Sequence, residues 1–549
     1  MRSPLRTALL GAVVAALATI PGLGTGTLWD NSETAYGEVA REILLTHDWV
    51  VLHLNGAPWF IQPPLYFWLA AGFANAFGLE PLWLRLPAAL ATIAMGATIG
   101  YASAALVGRR VGIYGAVILS TSLMQAIVGR LAIMDALLDL AVAVGVLAVF
   151  RAFTGGRTVP AIVGASVAVA LGILAKGPVA LAVVVLVIVP WLVWERLAGA
   201  RLTRVPFEWW LVGGVVCFAV VAPWFALLGS RAGSHALVEL IGHYTFGRYL
   251  GTIENQHGPI WYYVPVIILG FFPWIAFLPA ALVAAWRAAR PPNGALTAHL
   301  ARLALVWAIV PFAFFSLAKT KLPNYVALEL PALAILVALW FDRVADGQGR
   351  RGAIVAAGVV PLTIGAVAIA IALYARDAHL LAGTEAVMGD LLWMGVIVFV
   401  GSIVTFAIIA SGRRVEIAPY ALGATAILML AYTAIVAEPH AEPFKPVPQL
   451  AAIIRQQDRP GDAIAIQGVA GGNALVFYTR PRVFAIDMPY ETPQSDDTDP
   501  KRVICSAPRA FVVASRKRPT VDPTYGRRRT PLASAANDVL FLYEGSSCH

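Results

Sequence analysis

Two carboxylates lie three residues apart in a polar segment near the start of the chain. The segment reads Leu28-Trp29-Asp30-Asn31-Ser32-Glu33. Asn31 or Ser32 is a suitable helix cap, so Glu33 should fall in the first turn of the helix that follows and Asp30 just before it. Either carboxylate is placed to take a proton from an acceptor hydroxyl. The alternative, which this segment alone slightly favours, is that both acids only stabilise the start of the helix.

A third acid, Asp135, lies at the edge of an apolar stretch. It ends the segment Gly129-Arg130-Leu131-Ala132-Ile133-Met134-Asp135, which joins two apolar runs. A carboxylate so close to a membrane interior is costly to keep there and is by default a functional group. The alternative is an acid that pairs with Arg130 or extends to the surface. The functional interpretation is favoured, and Asp135 is predicted to be a second acid of the site.

Lysine is rare in the first 500 residues, whereas arginine is plentiful. Lys176, Lys319 and Lys321 all lie in turns between apolar runs, at the ends of those runs where arginines are few. Phosphate is bound well by such cations, although lysines also extend to the headgroup region without binding a ligand. Lys176 and Lys321 are therefore predicted to contact a phosphate or a sugar.

Other basic and aromatic side chains fall in the same set of segments. The further predicted contacts to phosphate or sugar are Arg41, Tyr66, Arg248, Tyr263 and Tyr325. His257 lies in the polar loop that precedes Tyr263. Because a lone histidine is more often structural than a metal ligand, the residues around His257 do not by themselves predict a metal site.

The elements that must position these residues are membrane-spanning helices. Of the 549 residues, 59% are hydrophobic and 13% charged, and the mean hydropathy is +0.74. Apolar runs of about 20 residues recur, each long enough to cross a hydrocarbon core about 30 Å thick. We predict about 13 spans, at 7–25, 83–106, 111–127, 133–150, 159–174, 178–194, 209–228, 261–285, 303–317, 327–342, 352–374, 388–410 and 418–437.

Most arginines fall on one side of these predicted spans, from Arg2 near the start to Arg414 near the end. The positive-inside rule places that side, and the N-terminus, in the cytoplasm. An odd number of spans then places the C-terminal segment outside. The formal net charge of +9 is explained by cytoplasmic loops, so nucleic acid is not an expected partner.

The predicted organisation is a transmembrane catalytic domain over residues 1–437, with outer loops near 26–82 and 229–260, and a soluble periplasmic α/β domain over 438–549. Two helices of the first loop are predicted to lie at the membrane surface, because each combines an apolar face with polar or aromatic residues. One contains the apolar face Tyr36 to Leu44, and the other is Pro64–Phe77, with Tyr66 at headgroup depth.

Short elements are predicted in the C-terminal segment. They are a helix at Gln449–Gln457 and strands at Asp462–Gly468, Leu475–Thr479, Arg482–Met488, Ala510–Ser515 and Val539–Glu544. Cys505 and Cys548 could pair if this segment is extracytoplasmic. Cys217 lies in an apolar run, where packing is the expected role.

Taken together, these segments resemble the GT-C superfamily of membrane glycosyltransferases, in particular the protein mannosyltransferase-like group that includes lipid A aminoarabinose transferases. The resemblance covers roughly residues 25–340 in order. It rests on the stretches Glu33–Glu42, His47–Val50, Asn55-Gly56, Pro63–Trp68, Arg85–Pro87, Arg130–Asp135, Lys176–Pro178, Pro223-Trp224, His257–Ile260, Phe272–Trp274, Phe315-Ser316 and Lys321–Tyr325.

The resemblance implies an enzyme of the bacterial inner membrane that transfers a sugar from a polyprenyl phosphate, such as undecaprenyl phosphate, to a lipid or glycan acceptor at the periplasmic face. The sugar 4-amino-4-deoxy-L-arabinose and the acceptor lipid A are candidates, and other sugars and protein acceptors stay open. A rival class is a lipid-linked sugar transporter or flippase. A transporter would place ionisable groups near mid-span in repeated, broken helices. An inactive lipid-binding protein is a third alternative.

The chain departs from the family pattern at two positions. Ser32-Glu33 stands where the family usually has Asp-Glu, so the resemblance implies that Asp30 or Glu33 supplies the catalytic carboxylate. Ile61-Gln62 stands where the family often has Glu-Lys, which removes one phosphate cation and weakens a metal site. His257 still matches a metal-binding position of the aminoarabinose enzymes, so a divalent metal remains an open alternative and no cofactor is certain.

Overall fold

The structure is a computed structural model that describes residues 4–29, 32–251, 256–290, 295–377, 385–469, 472–486, 505–516 and 527–545. The chain folds as two compact units, each formed by two separate segments. The first unit comprises Met1–Leu23 and Arg85–Ala437, and the second comprises Gly24–Leu84 and Glu438–His549.

Most of the described chain is helical, as its apolar runs predict. In chain order the α-helices are α1 (Pro4–Thr19), α2 (Ser32–Thr46), α3 (Leu65–Phe77), α4 (Pro81–Leu106), α5 (Arg109–Ser120), α6 (Leu123–Arg130), α7 (Asp135–Phe153), α8 (Thr158–Lys176), α9 (Val179–Leu197), α10 (Phe207–Ala232), α11 (Ser234–Leu237), α12 (Arg248–Leu250), α13 (Tyr263–Gly270), α14 (Leu278–Ala289), α15 (Leu296–Leu317), α16 (Leu330–Ala345), α17 (Arg350–Asp377), α18 (Glu385–Ser411), α19 (Ala418–Tyr432), α20 (Glu438–Ala441), α21 (Pro446–Gln457) and α22 (Gly472–Tyr478).

Shorter irregular helices connect several of these elements. A π-helix covers Val238–Gly247, and a second covers Thr433–Ala437. The 3-10 helices are Trp274–Phe277, Pro323–Glu329, Val415–Ile417 and Glu442–Phe444. The strands are β1 (His53–Leu54), β2 (Ala57–Pro58), β3 (Ala463–Gln467), β4 (Val483–Ile486), β5 (Arg509–Ser515), β6 (Arg528–Ala535) and β7 (Asp538–Glu544).

Within the described residues, 10 helices are long and apolar enough to cross a membrane, and counting two bent pairs as spans gives up to 12. The bent pairs are α5 with α6, at 63°, and α13 with Trp274–Ala289, at 108°. The prediction of a polytopic α-helical membrane protein is confirmed. The predicted number of 13 spans is higher because it included 7–25, whereas α1 ends at Thr19 and has only 16 residues.

The C-terminal part of the second unit contains a five-stranded sheet in the order β4-β3-β5-β7-β6. Strand β3 pairs in parallel with β4 and β5, and β7 pairs antiparallel with β5 and β6. Helices α21 and α22 pack on one face of this sheet, where Leu450, Ile454 and Leu475 join Ile464 and Val513 in a buried core. A small α/β domain is therefore present, as predicted.

The prediction of a strand at Leu475–Thr479 was wrong, because Gly472–Tyr478 forms α22. A short buried apolar run does not distinguish a strand from a helix by its periodicity. Here the parallel pair β3–β4 needs a crossover connection, and α22 lies within it. Strand β6 was missed because its sequence starts with Arg528-Arg529 and most of its side chains are at least partly exposed.

The two short helices predicted in the first outer loop are present as α2 and α3. Helix α3 ends where Gly78 adopts φ 105°, a conformation that favours glycine. Helix α2 buries its apolar face, as its pattern predicts, but it also buries the carboxylates of Glu33, Glu38 and Glu42. Three buried acids on one 15-residue helix need polar partners, and the second unit supplies them.

Candidate active site

A polar cluster joins three helix ends in the first unit. The Lys176 ammonium forms an ion pair with Asp135 Oδ1, and these side chains are only 10% and 6% exposed. The Asn324 amide nitrogen donates to the same Asp135 oxygen at 2.6 Å. Lys176 Nζ also lies 5.3 Å from the centre of the Tyr325 ring. We refer to Asp135, Lys176, Asn324 and Tyr325 as the Asp135 cluster.

The local sequence explains why these four side chains meet. Asp135 is the first residue of α7, where a negative charge is favoured, and Lys176 is the last residue of α8, where a positive charge is favoured. Gly177 follows with φ 84° and ends α8. Asn324 and Tyr325 lie in the 3-10 helix that precedes α16. The sequence prediction brought Asp135, Lys176 and Tyr325 into one site but overlooked Asn324.

Lys321, also predicted to bind phosphate, lies among backbone carbonyls at the end of α15. Its ammonium donates to the carbonyl oxygens of Ser316 at 2.7 Å and Ala318 at 2.8 Å, and the side chain is buried. Lys321 Nζ lies 5.7 Å from the centre of the Tyr263 ring, and Tyr263 is itself buried. These contacts make Lys321 a cap for the α15 carbonyls.

Among the described residues, Arg130 forms no ion pair with Asp135, which was the alternative interpretation of that acid. Its guanidinium donates to the carbonyl oxygens of Thr19 at 2.8 Å and Pro21 at 2.7 Å. The charge therefore stabilises the C-terminal end of α1. Asp135 is left to Lys176 and Asn324.

One acid near the cluster was not predicted. Asp139 lies one helical turn after Asp135 on α7 and is 2% exposed. Its Oδ2 has no hydrogen-bond partner among the described residues. The spacing of four residues was visible in the sequence and places both acids on one face of a helix. Asp139 therefore adds a second carboxyl group to the interior side of the Asp135 cluster.

The predicted catalytic acids of the first loop belong to the second unit. Glu33 is 1% exposed, and its Oε2 accepts a hydrogen bond from the Trp29 amide at 2.8 Å. The carboxylate thus closes a short turn in front of α2. Ser32 is exposed at the first position of that helix. Asp30 lies outside the described residues.

Arg41 and Tyr66 have structural partners in the second unit. The Arg41 guanidinium pairs with Glu38 and donates to the carbonyl oxygens of Val476 at 3.0 Å and Phe477 at 3.1 Å. It therefore caps the C-terminal end of α22. Tyr66, predicted at headgroup depth, is buried, and its hydroxyl donates to the Leu84 carbonyl at 2.9 Å. These contacts give Arg41 and Tyr66 structural partners within the second unit.

Two acids on α2 form a buried pair that was not predicted. Glu42 is 2% exposed and accepts the Gly56 amide at 2.9 Å, and Glu38 lies one turn before it. Burial, together with the adjacent carboxyl of Glu38, raises the pKa of Glu42 to about 7, against the opposing effects of the Gly56 amide and of Arg41. Glu42 can therefore hold a proton near neutral pH.

The remaining predicted contacts lie in the loop before α13. Arg248 is the first residue of α12, but its side chain lies outside the described residues. His257 is exposed. No group of three or more His, Cys, Asp or Glu side chains in the described part of the chain is arranged to hold a metal ion. The described residues do not fit a metal site at His257, and no chemical step is assigned to a metal.

Comparisons with known proteins agree with this architecture. The family model described as dolichyl-phosphate-mannose-protein mannosyltransferase matches residues 61–226. An undecaprenyl phosphate-alpha-4-amino-4-deoxy-L-arabinose arabinosyl transferase of Erwinia tasmaniensis is 29% identical over 373 residues, covering 66% of this chain and 64% of the relative. The enzyme of the same name from Serratia proteamaculans is 30% identical over 353 residues, covering 61% and 59%. The chain thus matches less than two thirds of the length of these relatives.

Solved structures extend the likeness to nearly the whole chain. ArnT from Cupriavidus metallidurans, bound to undecaprenyl phosphate, has a TM-score of 0.77 and 22% identity, with 97% of both chains covered. The archaeal oligosaccharyltransferase AglB from Archaeoglobus fulgidus has a TM-score of 0.51 and 11% identity, covering 94% of this chain and 69% of that one. These likenesses concern the fold.

The fold defines a class, the multi-pass membrane proteins with GT-C architecture. Within that class, the predicted resemblance to the lipid A aminoarabinose transferase-like family is confirmed by the family model and by the curated relatives.

Proposed function

We propose that this protein is a glycosyltransferase that moves a sugar from a polyprenyl phosphate carrier to an envelope acceptor. The donor class follows from relatives named for undecaprenyl phosphate and 4-amino-4-deoxy-L-arabinose. The family resemblance makes lipid A the first acceptor to test. A lipid-linked sugar flippase would share the carrier but would leave the sugar–phosphate bond intact.

The observation that carries the proposal is the Asp135 cluster, in which a nearly buried lysine is held at a helix end by a carboxylate that also accepts a hydrogen bond from the Asn324 amide. During transfer, the acceptor hydroxyl oxygen bonds to the anomeric carbon while the bond from that carbon to the carrier phosphate breaks. The carrier phosphate leaves with an additional negative charge. A preorganised cation such as Lys176 stabilises that charge more than it stabilises the donor.

Asp30 is proposed as the base that takes the acceptor proton. Ser32 has no useful basicity near neutral pH without a partner. The Glu33 carboxylate accepts the Trp29 amide and is almost fully buried, which favours a structural role. Asp135 is proposed to orient Lys176 rather than to accept the proton, because its Oδ1 receives two donors.

The proposed location is the bacterial inner membrane, with the N-terminus in the cytoplasm and the second segment of the second unit in the periplasm. The arginine asymmetry supports this orientation. Cys505 is disulfide-bonded, which also suits an oxidising compartment. Cys548 lies outside the described residues, and Cys217 is a free cysteine.

A transfer assay tests the proposal. Purified protein in lipid nanodiscs is given undecaprenyl phosphate carrying labelled aminoarabinose together with lipid A, and released undecaprenyl phosphate is measured. We expect release that depends on the acceptor, and a loss of about ten- to a hundredfold in Asp135→Asn, since Lys176 loses its anchoring charge. Asp346→Asn is the matched control, because it removes an acid from an ion pair with Arg110, outside the Asp135 cluster. A donor that crosses the bilayer intact would support the flippase instead.

A further inference from the structure

The turn that follows α15 sends one amide side chain into the Asp135 cluster. The Asn324 amide nitrogen donates to Asp135 Oδ1 at 2.6 Å, and the same oxygen pairs with the Lys176 ammonium. Two donors on one oxygen restrict the rotation of the carboxylate more than one donor does. The direction in which Asp135 presents its charge to Lys176 therefore depends on Asn324.

An amide suits this position because it donates a hydrogen bond without carrying a charge. Asp135 and Lys176 already balance each other, and their side chains are only 6% and 10% exposed. A second cation beside Asp135 would compete with Lys176 for the carboxylate, and an ionised acid would repel it. The amide nitrogen of Asn324 supports the ion pair and leaves its net charge at zero.

The backbone that carries Asn324 is held on both sides. Before it, the Lys321 ammonium binds two carbonyl oxygens at the end of α15, and the ring of Pro323 restricts the backbone. After it, the Trp307 indole nitrogen donates to the Leu328 carbonyl at 2.8 Å. Because α15 supplies both anchors, the amide of Asn324 extends from a fixed support.

The residue after Asn324 contacts the other member of the ion pair. The centre of the Tyr325 ring lies 5.3 Å from Lys176 Nζ, and the same ring lies 4.9 Å from that of Phe315. Consecutive side chains of the 3-10 helix Pro323–Glu329 therefore contact the carboxylate and the ammonium of one pair.

The helices that carry the ion pair are packed closely against each other. An added Cβ at Gly172, one turn before Lys176 in α8, would lie 2.9 Å from the Cβ of Ala141 in α7. A contact this short is one that real Cβ atoms essentially never show, so α8 reaches α7 more closely than a larger residue would allow. The backbones of Asp135 and Lys176 are thus fixed by packing, which leaves the orientation of their side chains to the polar contacts.

We propose that Asn324 is a positioning residue, which orients the Asp135 carboxylate so that the Lys176 ammonium stays in place for the leaving carrier phosphate. The inference rests on the proposed function, in which Lys176 stabilises that phosphate. A preorganised charge acts only from a narrow range of positions, and a misplacement of about 1 Å can cost about a hundredfold in rate. Asn324 acts through Asp135 and makes no contact with the substrate itself.

Chemical modification of Lys176 tests the contact independently of activity. An amine-reactive ester is added to the purified protein in lipid nanodiscs, and acylation of Lys176 is followed by mass spectrometry. In Asn324→Ala, the loosened ion pair should let Lys176 react severalfold faster than in the wild type, relative to the exposed Lys319. Asn75→Ala, which removes an exposed asparagine of α3, is the control and should leave the rate unchanged. An unchanged rate in Asn324→Ala would overturn the proposal.

Asn324→Asp separates hydrogen-bond donation from packing, because the introduced carboxyl has nearly the shape of the amide. Ionised, it donates no hydrogen bond and repels Asp135, whereas protonated it can donate its O–H to Asp135. The transfer rate of Asn324→Asp, divided by that of Asn324→Ala at the same pH, should therefore rise as the pH falls. A ratio that stays constant with pH would refute the role as a donor. The titratable and charged groups around this position are Arg130, Asp135, Asp139, Lys176 and Tyr263, together with Tyr325 and Glu329 on the same 3-10 helix.

A double-mutant cycle tests whether Asn324 acts through Asp135. We expect Asn324→Ala to lower kcat by about ten- to a hundredfold, with little change in the KM for the acceptor. In an Asp135→Ala background, measured by single turnover, the same change should have almost no further effect. A substitution that only destabilises the protein would lower both backgrounds by the same factor.

The outcomes separate this inference from the proposed function. If Lys176→Met transfers sugar at the normal rate, the role of Lys176 is wrong, and the positioning role falls with it. If Lys176→Met is impaired while Asn324→Ala is normal, or is additive with Asp135→Ala, the proposed function stands and the positioning role is refuted. Non-additive effects together with faster acylation of Lys176 in Asn324→Ala would support both.

Discussion

Protonation of Glu42 should make the stability of this protein depend on pH near neutrality. The carboxyl is 2% exposed, and its pKa is raised from 4.5 to about 7 by burial and by the neighbouring Glu38 carboxyl. At about 1.4 kcal/mol for each pH unit, the difference between these two pKa values corresponds to about 3 kcal/mol of unfolding free energy. Because Glu42 also accepts the Gly56 amide, the group lies in the contact between α2 and the β1–β2 turn.

The sign follows from the protons bound in each state. Between pH 4.5 and about 7, the folded protein retains the proton on Glu42, whereas the unfolded chain releases it. The stabilisation that this proton gives the folded state is therefore fully present below pH 4.5 and is lost as the pH rises to about 7. Above that pH, the contribution of Glu42 to the unfolding free energy no longer changes. Glu42→Gln mimics the protonated carboxyl and should remove this dependence.

The assay is thermal unfolding of the purified protein in one detergent, from pH 4.5 to pH 8. As the pH rises over this range, the wild type should lose about 3 kcal/mol of unfolding free energy relative to Glu42→Gln. Glu80→Gln, an exposed acid of the same unit, is the control and should follow the wild type. The reasoning would be refuted if Glu42→Gln and the wild type showed the same pH dependence.

Other substitutions should separate residues that take part in transfer from those that support the fold. Asp30→Asn is expected to lower turnover about a hundred- to ten-thousandfold, Glu33→Gln less, and Ser32→Ala hardly at all, as measured by release of undecaprenyl phosphate. An inactive Glu33→Gln beside a near-normal Asp30→Asn would reverse the assignment. Lys176→Met should weaken donor use about ten- to a hundredfold, and unchanged kinetics would reduce Lys176 to a partner of Asp135. Lys321→Met should chiefly lower the unfolding temperature, because its ammonium caps α15; a normal unfolding temperature with impaired donor binding would restore the phosphate role. A periplasm-dependent reporter fused after residue 440 should be active, and cytoplasmic activity would contradict the proposed orientation.

The helices were predictable because local sequence determines them. Apolar runs identified every predicted span as part of a helix, and α2 and α3 followed from their apolar faces and from the glycine that ends α3. The exact number of spans was less predictable, because bent pairs such as α5 with α6 depend on packing between helices. In the soluble part, the buried run of α22 could not be distinguished from a strand without its sheet topology.

The partners of individual side chains were less predictable, because most come from distant segments. The resemblance and the spacing selected Asp135 as a catalytic acid and Lys176 as a substrate contact, and the structure joins these two side chains in an ion pair. Nothing near Arg41 in sequence indicates that it binds the carbonyls of α22, more than 430 residues later. The same holds for Glu442 and Tyr478. These residues accept hydrogen bonds from the amides of Thr27 and Leu28, and nothing near them in sequence indicates these partners.

Basic residues show why sequence alone does not distinguish a phosphate contact from a cap on a helix end. A cation that suits a phosphate also suits the negative end of a helix, where carbonyl oxygens lack partners. Arg41 binds such carbonyls at α22, Arg130 at α1 and Lys321 at α15. Lys176 differs, because its charge is balanced by the carboxylate of Asp135 and by no carbonyl among its described hydrogen bonds. Asp135 therefore holds Lys176 without any helix-end carbonyl, which is why Lys176 is the cation of this set that we propose to act on the carrier.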